Sequence, residues 1–277
     1  MNLRHENILD DQLTQLYFST IDASHQLIPV HWHYHMEIVI PIEGKMIGYI
    51  NNNCYQLQPY DILVVNPQSI HYTDTPGNSR YHLLQIPAAH LDRMSPNRKL
   101  LHFSEYVPYN SQPDSLNAQL CECFNRLSQI NETQDEGSSL LFLSELYRIL
   151  YLLYTQNSTV MSVQSLNRTQ QDFNRMEQVM QYVASNYDKP ILLNDMADLL
   201  SVSPEYFCRL FKKNTGQTFF TYLNQVRLLH FHHDLLTTND SITYLMEKNG
   251  ITNYNAFLRS FKEAYGTTPH RLRKKQS

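Results

Sequence analysis

The last third of this 277-residue chain contains one residue pattern twice, at a constant offset of 50 positions. Six residues of the first copy recur in the second: Phe207, Arg209, Phe211, Lys212, Gly216 and Thr218 match Phe257, Arg259, Phe261, Lys262, Gly266 and Thr268. A period of this length is typical of a duplicated supersecondary unit. In each copy, two Phe residues four positions apart mark the apolar face of a helix, and the Gly ends that helix. The chain is therefore predicted to contain two related helical units.

The residues ahead of each copy indicate that both units are helix-turn-helix motifs. In the first unit, residues 194–216, a short turn precedes Pro204, which suits the first position of a second helix. In the second unit, residues 241–266, Gly250 permits the turn and residues 252–265 form the second helix. Two helical hairpins with solvated charges are the other interpretation. The matching Arg and Lys in both copies weigh against it.

The first unit contains the run SPEYFCRLFKK at residues 203–213, which resembles the first DNA-reading motif of the AraC/XylS family of transcription regulators. Residues 250–266, with Pro269 and Arg271 after them, resemble that family's C-terminal signature. The resemblance covers residues 172–277 and implies a DNA-binding domain. This sequence departs from the family pattern at two positions, where Met246 and Asn249 replace the usual Ala and aliphatic residue.

Helix geometry and the resemblance together predict which residues contact DNA. Apolar residues of the two second helices turn inward, and the residues between them face the major groove. The predicted base contacts are Glu205, Cys208, Arg209, Asn253, Tyr254, Asn255 and Arg259. The strongest of these are the two arginines and Asn255, because Arg pairs bidentately with guanine and Asn with adenine. The predicted phosphate contacts are Lys212, Lys213 and Lys262.

Charge divides the chain into two unlike parts. Residues 1–170 contain 9 Lys and Arg against 16 Asp and Glu, whereas residues 171–277 contain 13 against 10. A basic region on an otherwise acidic chain is what phosphate contact by one domain requires. The expected partner is double-stranded DNA with two adjacent major-groove half-sites, both reached by one polypeptide.

The first 105 residues have short strand-like runs separated by turn-prone segments, which predict an antiparallel barrel or sandwich. The run HWHYHME at residues 31–37, followed by Gly44, matches the first cupin motif. Residues 67–71, PQSIH, resemble a shortened second motif. This second resemblance implies a cupin-like sensing domain.

The predicted fold class is a multidomain α+β protein. It consists of a cupin-like antiparallel β-barrel (1–105), a helical dimerisation segment (106–155), a polar linker (156–171) and an all-α DNA-binding domain (172–277). The helical segment rests on two periodic runs, residues 116–127 and 140–154, of which the second is apolar around much of its circumference. Pairing with a second copy of the chain is one use of that helix, and packing onto its own barrel is the other.

The predicted effector-binding residues are His31, Trp32, His33, His35, Glu37, Tyr49 and His71. On a continuous strand the four odd-numbered residues 31–37 share one face. Sensing domains of the AraC type imply a sugar pocket, in which these side chains hydrogen-bond a polar ligand. No cofactor is predicted. The candidate ligands of a metal ion, if one is bound, are His31, His33, Glu37 and His71. A further interpretation is that these side chains form a polar core in which they hydrogen-bond one another and bind no ligand.

Several classes of protein are not indicated. The sequence has no P-loop, dinucleotide-binding motif or nucleophile elbow, and its 7 Gly leave little room for one, so an enzyme is not predicted. The 4 Cys lack zinc-finger spacing. No run of about 18 apolar residues or signal segment is present, so we expect a cytoplasmic protein with no membrane partner.

Taken together, the sequence predicts a ligand-responsive transcription regulator. The resemblance implies an activator that recruits RNA polymerase and acts as a homodimer. Two alternatives stay open. One is a metal-binding cupin enzyme or metal sensor fused to a DNA-binding domain. The other is a regulator without a small ligand, controlled by a protein partner, which a barrel filled by its own side chains would favour.

Overall fold

The computed structural model describes residues 16–51, 53–94, 101–133 and 136–274. The strands are β1 (Tyr17–His31), β2 (His35–Glu43), β3 (Met46–Ile50), β4 (Asn53–Leu57), β5 (Ile62–Val65), β6 (His71–Pro87), β7 (Leu101–Phe103), β8 (Tyr106–Val107) and β9 (Ser158–Val160). The helices are α1 (Ala88–Met94), α2 (Leu116–Thr133), α3 (Ser138–Gln156), α4 (Val163–Asn186), α5 (Leu193–Leu199), α6 (Pro204–Thr215), α7 (Phe219–Thr237), α8 (Ile242–Lys248), α9 (Tyr254–Tyr265) and α10 (Pro269–Lys274). Within this described part, no helix combines the length and apolarity needed to cross a membrane.

The N-terminal sheet is an antiparallel near-barrel organised around β6. Its strands follow the order β4-β3-β6-β2-β5-β8, and β1 pairs with β6 as well. The first residues of β6 pair with β3 and the later ones with β2, while β1 follows β6 along most of its length. One long strand therefore holds three others in register, and the predicted α+β multidomain fold class is confirmed.

The two faces of this sheet have different neighbours. Side chains alternate along each strand, so odd and even positions of β2 point to opposite sides. Met36, Ile38 and Ile40 lie outside and pack with residues of α2 and α3 in one apolar core. Val39 lies inside with aliphatic residues of β3, β4 and β5. Much of the interior is thus filled by side chains, and the polar residues lie towards one end.

The C-terminal part is all-helical and contains both predicted helix-turn-helix units, α5–α6 and α8–α9, joined by α7. Each second helix ends at a glycine in the left-handed conformation, Gly216 (φ 74°) and Gly266 (φ 65°). The first helix of the second unit is capped by Ser241, whose hydroxyl accepts a hydrogen bond from the Tyr244 N–H at 3.2 Å. The repeated glycine is therefore a repeated helix stop.

The segment between the domains, predicted as a polar linker over residues 156–171, contains regular structure. Ser158–Val160 forms β9 against β7, and α4 begins at Val163. Ser162 caps α4 by accepting a hydrogen bond from the Ser165 N–H. The first turns of α4 are largely exposed, so their polar residues do not interrupt the helix. Tyr106–Val107 likewise joins the sheet as β8 rather than the helical segment.

Parts of three predicted domains lie outside the described residues. Residues 1–15, 52 and 95–100 belong to the predicted barrel, residues 134–135 to the predicted helical segment and residues 275–277 to the predicted DNA-binding domain.

Gly250 offers a test of how the second unit is attached. It has φ +68°, and a Cβ atom there would lie 2.7 Å from the carbonyl oxygen of Asp188. Gly250→Ala combines a left-handed Ala with a backbone collision, so we expect it to lower the free energy of unfolding by at least about 2 kcal/mol. Urea unfolding followed by circular dichroism measures this. Gly77→Ala is the control because a Cβ at Gly77 meets no atom within 4 Å. Equal losses in both variants would contradict the prediction.

Candidate effector site and nucleic-acid interface

Three imidazoles and one carboxylate meet at one end of the sheet. His31 ends β1 and lies opposite His71, the first residue of β6. His33 lies in the loop between β1 and β2, and Glu37 lies in β2. One ring nitrogen from each of the three histidines lies within 4.8 Å of the others. His33, His71 and Glu37 are buried and His31 is half-buried, so the group is reached from one side. These four residues are called the histidine cluster below.

Backbone carbonyls fix the orientation of all three imidazoles. Nδ1 of His31 lies 2.8 Å from the Pro29 oxygen, and Nδ1 of His71 lies 2.9 Å from the Ser69 oxygen. Nδ1 of His33 lies 3.1 Å from the oxygen of His35. A carbonyl only accepts hydrogen bonds, so in each ring Nδ1 carries the proton. In a neutral ring, Nε2 then presents a lone pair to the cluster.

Glu37 brings a buried negative charge to this group. Burial by itself raises the pKa of its carboxyl group, but the hydrogen bond with His33, the charges of His71 and His33, and the hydrogen bond from Gln85 outweigh it. The pKa therefore lies well below its ordinary value. Oε2 accepts a hydrogen bond from the Gln85 amide at 3.0 Å and lies 3.2 Å from Nε2 of His33.

Both ring nitrogens of His33 therefore face acceptors, the His35 carbonyl and the Glu37 carboxylate. A neutral imidazole carries one proton and cannot donate to both. The two contacts are satisfied together only when a positive charge is present, as an imidazolium or as a cation beside Nε2. The cluster is thus built for a cation or for a ligand that donates protons.

The cluster forms differently from its sequence prediction. Residues 32–34 interrupt the extended backbone, so residues 31–37 are not one strand with one shared face. His33 reaches the cluster from the loop. His35 is buried and its ring lies 5.7 Å from that of His33, but it is not among the three converging imidazoles. The sequence prediction also missed Gln85, which lies opposite Glu37 in the β2–β6 pairing.

Trp32 and Tyr49 lie outside the cluster, at the contact with the helical domain. The Trp32 ring packs edge-on against Phe173 of α4, with ring centroids 4.7 Å apart. The Tyr49 ring stacks on Tyr72 at 4.1 Å. Tyr49 alternates along β3 with the inward-pointing Ile50, which places it on the opposite face, and Trp32 reaches the same surface from the loop between β1 and β2. Their position makes them part of an interdomain surface.

This interdomain surface is apolar and continuous with the core of the DNA-binding domain. Val30 and Ile70 are buried in the same apolar cluster as the Phe residues of α6, and Trp32 and Tyr72 pack against that cluster. Residues on β1 and at the start of β6 therefore alternate between the histidine cluster inside and the DNA-binding domain outside.

The sheet also touches the ends of both second helices. The Tyr49 ring lies 3.6 Å from where a Cβ of Gly216 would be, and the His25 ring lies 3.4 Å from the equivalent point at Gly266. These glycines end α6 and α9 at matching positions of the repeat. Both helices consequently stand with their C-terminal ends on the sheet.

All predicted DNA-contacting residues lie on exposed positions of the two units. The exposed set is Glu205, Cys208, Arg209, Lys212, Lys213, Asn253, Tyr254, Asn255, Arg259 and Lys262. Asn253 is the N-cap of α9, because its side-chain oxygen accepts a hydrogen bond from the Ala256 N–H at 3.0 Å. Lys213 lies 2.9 Å from Asp172 of α4, in an exposed ion pair. The pKa of Glu205 is lowered chiefly by a backbone hydrogen bond at the start of α6.

The two departures from the family pattern are buried in the second unit. Met246 packs in the core formed by α7, α8 and α9. The Asn249 amide donates hydrogen bonds to Oδ2 of Asp234 at 3.0 Å and to the Leu245 carbonyl at 2.8 Å. Asp234 also pairs with Lys248 at 2.9 Å. A polar network thus joins α8 to α7 where an aliphatic contact is usual.

Two family comparisons match most of the chain. Residues 15–150 match the AraC-like ligand binding domain, and residues 196–275 match a helix-turn-helix domain.

Relatives of known name support the same two-domain arrangement. The chain is 25% identical over 257 residues to the HTH-type transcriptional activator RhaS of Pectobacterium carotovorum, covering 88% of this chain and 87% of that protein. It is 28% identical over 148 residues to the Msm operon regulatory protein of Streptococcus mutans, covering 53% of this chain and 50% of the relative. A solved apo structure of a ToxT variant from Vibrio cholerae is 13% identical over 95% of this chain and 98% of its own, with a TM-score of 0.50. This last likeness concerns the fold alone.

The buried imidazole of His71 predicts how the stability of the ligand-free protein depends on pH. Burial, together with the charges of His31 and His33, lowers the pKa of His71 well below the ordinary 6.5. Below pH 6.5 the unfolded chain binds a proton there that the folded chain does not, so the stability present above pH 6.5 is lost as pH falls. We expect the free energy of unfolding of chelator-treated protein to decrease between about pH 7.5 and 5.5.

The matched variant is His71→Gln, which removes the titrating imidazole and keeps an uncharged polar side chain of similar length. Its free energy of unfolding, measured by urea denaturation, should decrease less steeply over the same pH range. An identical slope in both proteins would contradict the assignment.

Proposed function

Because the chain belongs to the AraC family of transcription regulators, we propose that it binds two adjacent half-sites of DNA with α6 and α9 and responds to a small polar ligand held in its N-terminal sheet. The observation that carries this proposal is the exposure of matching Arg residues, Arg209 and Arg259, on the equivalent helices of a duplicated unit. The family is one of DNA-binding regulators and not of enzymes. Its action on DNA fits a cytoplasmic location.

The manner of DNA reading follows from the repeat. Two second helices in one chain enter successive major grooves about 34 Å apart on one face of the duplex. The two helices carry different residues at the groove, so their half-sites have different sequences. Helix α7 sets their separation, with Phe219 and Tyr222 buried in the first unit and Phe231 in the second.

The effector is proposed to be a small molecule rich in hydroxyl groups, such as a sugar. The histidine cluster supports this class because buried, oriented imidazoles and a carboxylate are suited to hydrogen-bond hydroxyl groups. The relative RhaS is named as a transcriptional activator. This supports activation through recruitment of RNA polymerase as the outcome of DNA binding here.

A panel of sugars tests the effector class. Thermal unfolding of the full chain is followed with each sugar in turn, since a ligand that binds the folded state raises the midpoint in a saturable way. A midpoint shift that disappears in Glu37→Gln supports the cluster as the sugar site. Absence of any shift across the panel would count against a sugar effector.

The DNA-reading assignment makes a quantitative prediction. Full-length protein first selects its site from a library of randomised duplexes. On the selected site, Arg209→Ala and Arg259→Ala should each weaken binding by about 1–3 kcal/mol and relax the base preference in one half-site. Lys212→Ala is the contrast, because loss of a phosphate contact weakens binding to all sequences and reduces the salt slope by about 1. Equal losses of affinity for the selected and random duplexes would contradict the assignment of the two arginines as base contacts.

The homodimer is proposed to form through α3. One face of this helix is exposed although it is apolar, with Leu140 at 72%, Tyr147 at 46%, Tyr151 at 65% and Tyr154 at 51% exposure. These residues recur at intervals of three, four and seven, which places them on one stripe. The opposite face, including Leu146 and Ile149, is buried against the sheet and α2.

A tyrosine replacement tests this surface. Tyr151→Glu places a charge in the middle of the stripe and should shift the protein from dimer to monomer in sedimentation velocity, raising the dissociation constant at least tenfold. Tyr109→Glu is the matched control, since Tyr109 is an exposed tyrosine (58%) away from α3. A wild-type protein that is monomeric at all concentrations, or a Tyr151→Glu variant that remains dimeric, would contradict the proposed interface.

A further inference from the structure

The histidine cluster and the interdomain surface are formed by the same two chain segments. His31 and His71 are directly opposite each other in the β1–β6 pairing. Their immediate neighbours, Val30 and Ile70, are buried in the core of the DNA-binding domain. The positions of the imidazoles are therefore coupled to the surface on which the DNA-binding domain packs.

We propose that His31, His33 and His71 bind one divalent transition metal ion through Nε2, with Glu37 as the fourth ligand, and that the ion controls how the DNA-binding domain sits on β1 and β6. The inference rests on the proposed function and goes beyond its sugar effector: the ion and a hydroxyl-rich ligand are alternative occupants of the same cluster, and the inference adds a route from that cluster to the DNA-binding domain.

The donor set fits such an ion before any ion is bound. In each ring, Nδ1 donates to a backbone carbonyl, which is the outer contact that metal-binding histidines usually make, and it orients Nε2 inward. Among the described residues, Nε2 of His71 has no hydrogen-bond partner although it is buried. Oε1 of Glu37 lies 4.0 Å from this nitrogen. A cation at this point satisfies the imidazole lone pairs and the carboxylate together.

The chemistry of the ligands selects the class of metal. Three imidazoles and a single carboxylate suit zinc and the neighbouring divalent transition metals. Calcium and magnesium take oxygen ligands almost entirely, so they fit this site poorly. Zinc is the probe of choice because it needs no control of redox state.

Binding requires a small contraction of the cluster. The three ligand nitrogens lie within 4.8 Å of one another. In a tetrahedral site with Zn–N bonds of about 2.0–2.1 Å, ligand atoms are about 3.3 Å apart. The donor atoms must therefore approach one another on binding, and we expect the ends of β1 and β6, which carry His31 and His71, to take up part of that movement. Trp32 and Tyr72, which directly follow these histidines and pack against the apolar core of the DNA-binding domain, are expected to shift with them.

Trp32 is an internal reporter of this motion. It is the single Trp of the chain, it follows His31 directly, and its ring packs on Phe173 of α4. Its fluorescence therefore reports the contact between the sheet and the reader without any label.

The experiment uses the full chain after chelator treatment and dialysis. Zinc is added in a competition titration with a coloured chelator, while bound zinc, Trp32 fluorescence and affinity for the selected duplex are measured on the same samples. Magnesium at millimolar concentration is the ion control. The variants are His31→Gln and His71→Gln, which remove one imidazole each and keep an uncharged polar side chain of similar length. His102→Gln, in β7 and outside the cluster, controls for loss of an imidazole.

The expected result is one zinc ion per chain, with a change in Trp32 fluorescence that follows its binding. Affinity for the duplex should differ at least threefold between zinc-loaded and zinc-depleted protein. His31→Gln and His71→Gln should weaken zinc binding at least tenfold, and His102→Gln should match the wild type. Thermal unfolding of each zinc-free variant confirms that it is folded.

Three results would overturn the inference in whole or in part. Zinc binding below one ion per chain, or unchanged in both cluster variants, removes the metal site. Binding of one zinc ion per chain with constant Trp32 fluorescence and constant DNA affinity contradicts control of the DNA-binding domain by the ion. An equal change in Trp32 fluorescence and DNA affinity on addition of magnesium removes the transition-metal class. Failure of the proposed function looks different, because the chain would then select no duplex in either metal state while zinc binding could remain intact.

Discussion

The pairing of β1 with β6 is the interaction on which the other features depend. It places His31 opposite His71 and so brings together imidazoles that are 40 residues apart in the chain. Because strand side chains alternate, the same pairing turns Val30 and Ile70 outward into the core of the helical domain. A one-residue slip would exchange the two sets and place imidazoles in the apolar core. The histidine cluster and the domain contact are therefore fixed by a single register.

The histidine cluster is costly to fold. A buried carboxylate is unfavourable unless hydrogen bonds and opposite charge compensate it, and Glu37 depends on Gln85 and on its imidazole neighbours for that compensation. Aliphatic side chains fill much of the sheet interior without such a requirement. Polar groups placed against the general preference of a protein core are commonly found where function requires them. The contrast between the two ends of the interior supports the proposal that the cluster is the functional end.

Local sequence patterns predicted the all-helical DNA-binding domain more closely than the histidine cluster. The 50-residue repeat, Pro204 and the two terminal glycines located both helix-turn-helix units, because capping and left-handed residues act within a few positions. Helix α9 begins at Tyr254, two residues later than expected, since Asn253 serves as its cap. The polar segment 156–171 was misleading because solvent-exposed helical turns need no apolar period. The face of the sheet on which Tyr49 lies and the contact of Gln85 with Glu37 depend on strand register. The position of Trp32 depends on the break in the extended backbone at residues 32–34. Short motifs encode neither feature.

The contacts at Gly216 and Gly266 have a consequence for the DNA. The sheet touches the C-terminal end of both recognition helices, at Tyr49 and at His25, so it bears on their mutual orientation as α7 does. Tyr49 lies on β3 and His25 on β1, and both of these strands pair with β6. If α6 and α9 read DNA as proposed, a change in the curvature of the sheet would turn one helix relative to the other about the duplex axis. Promoters would be distinguished by the helical phase between their half-sites as well as by their bases.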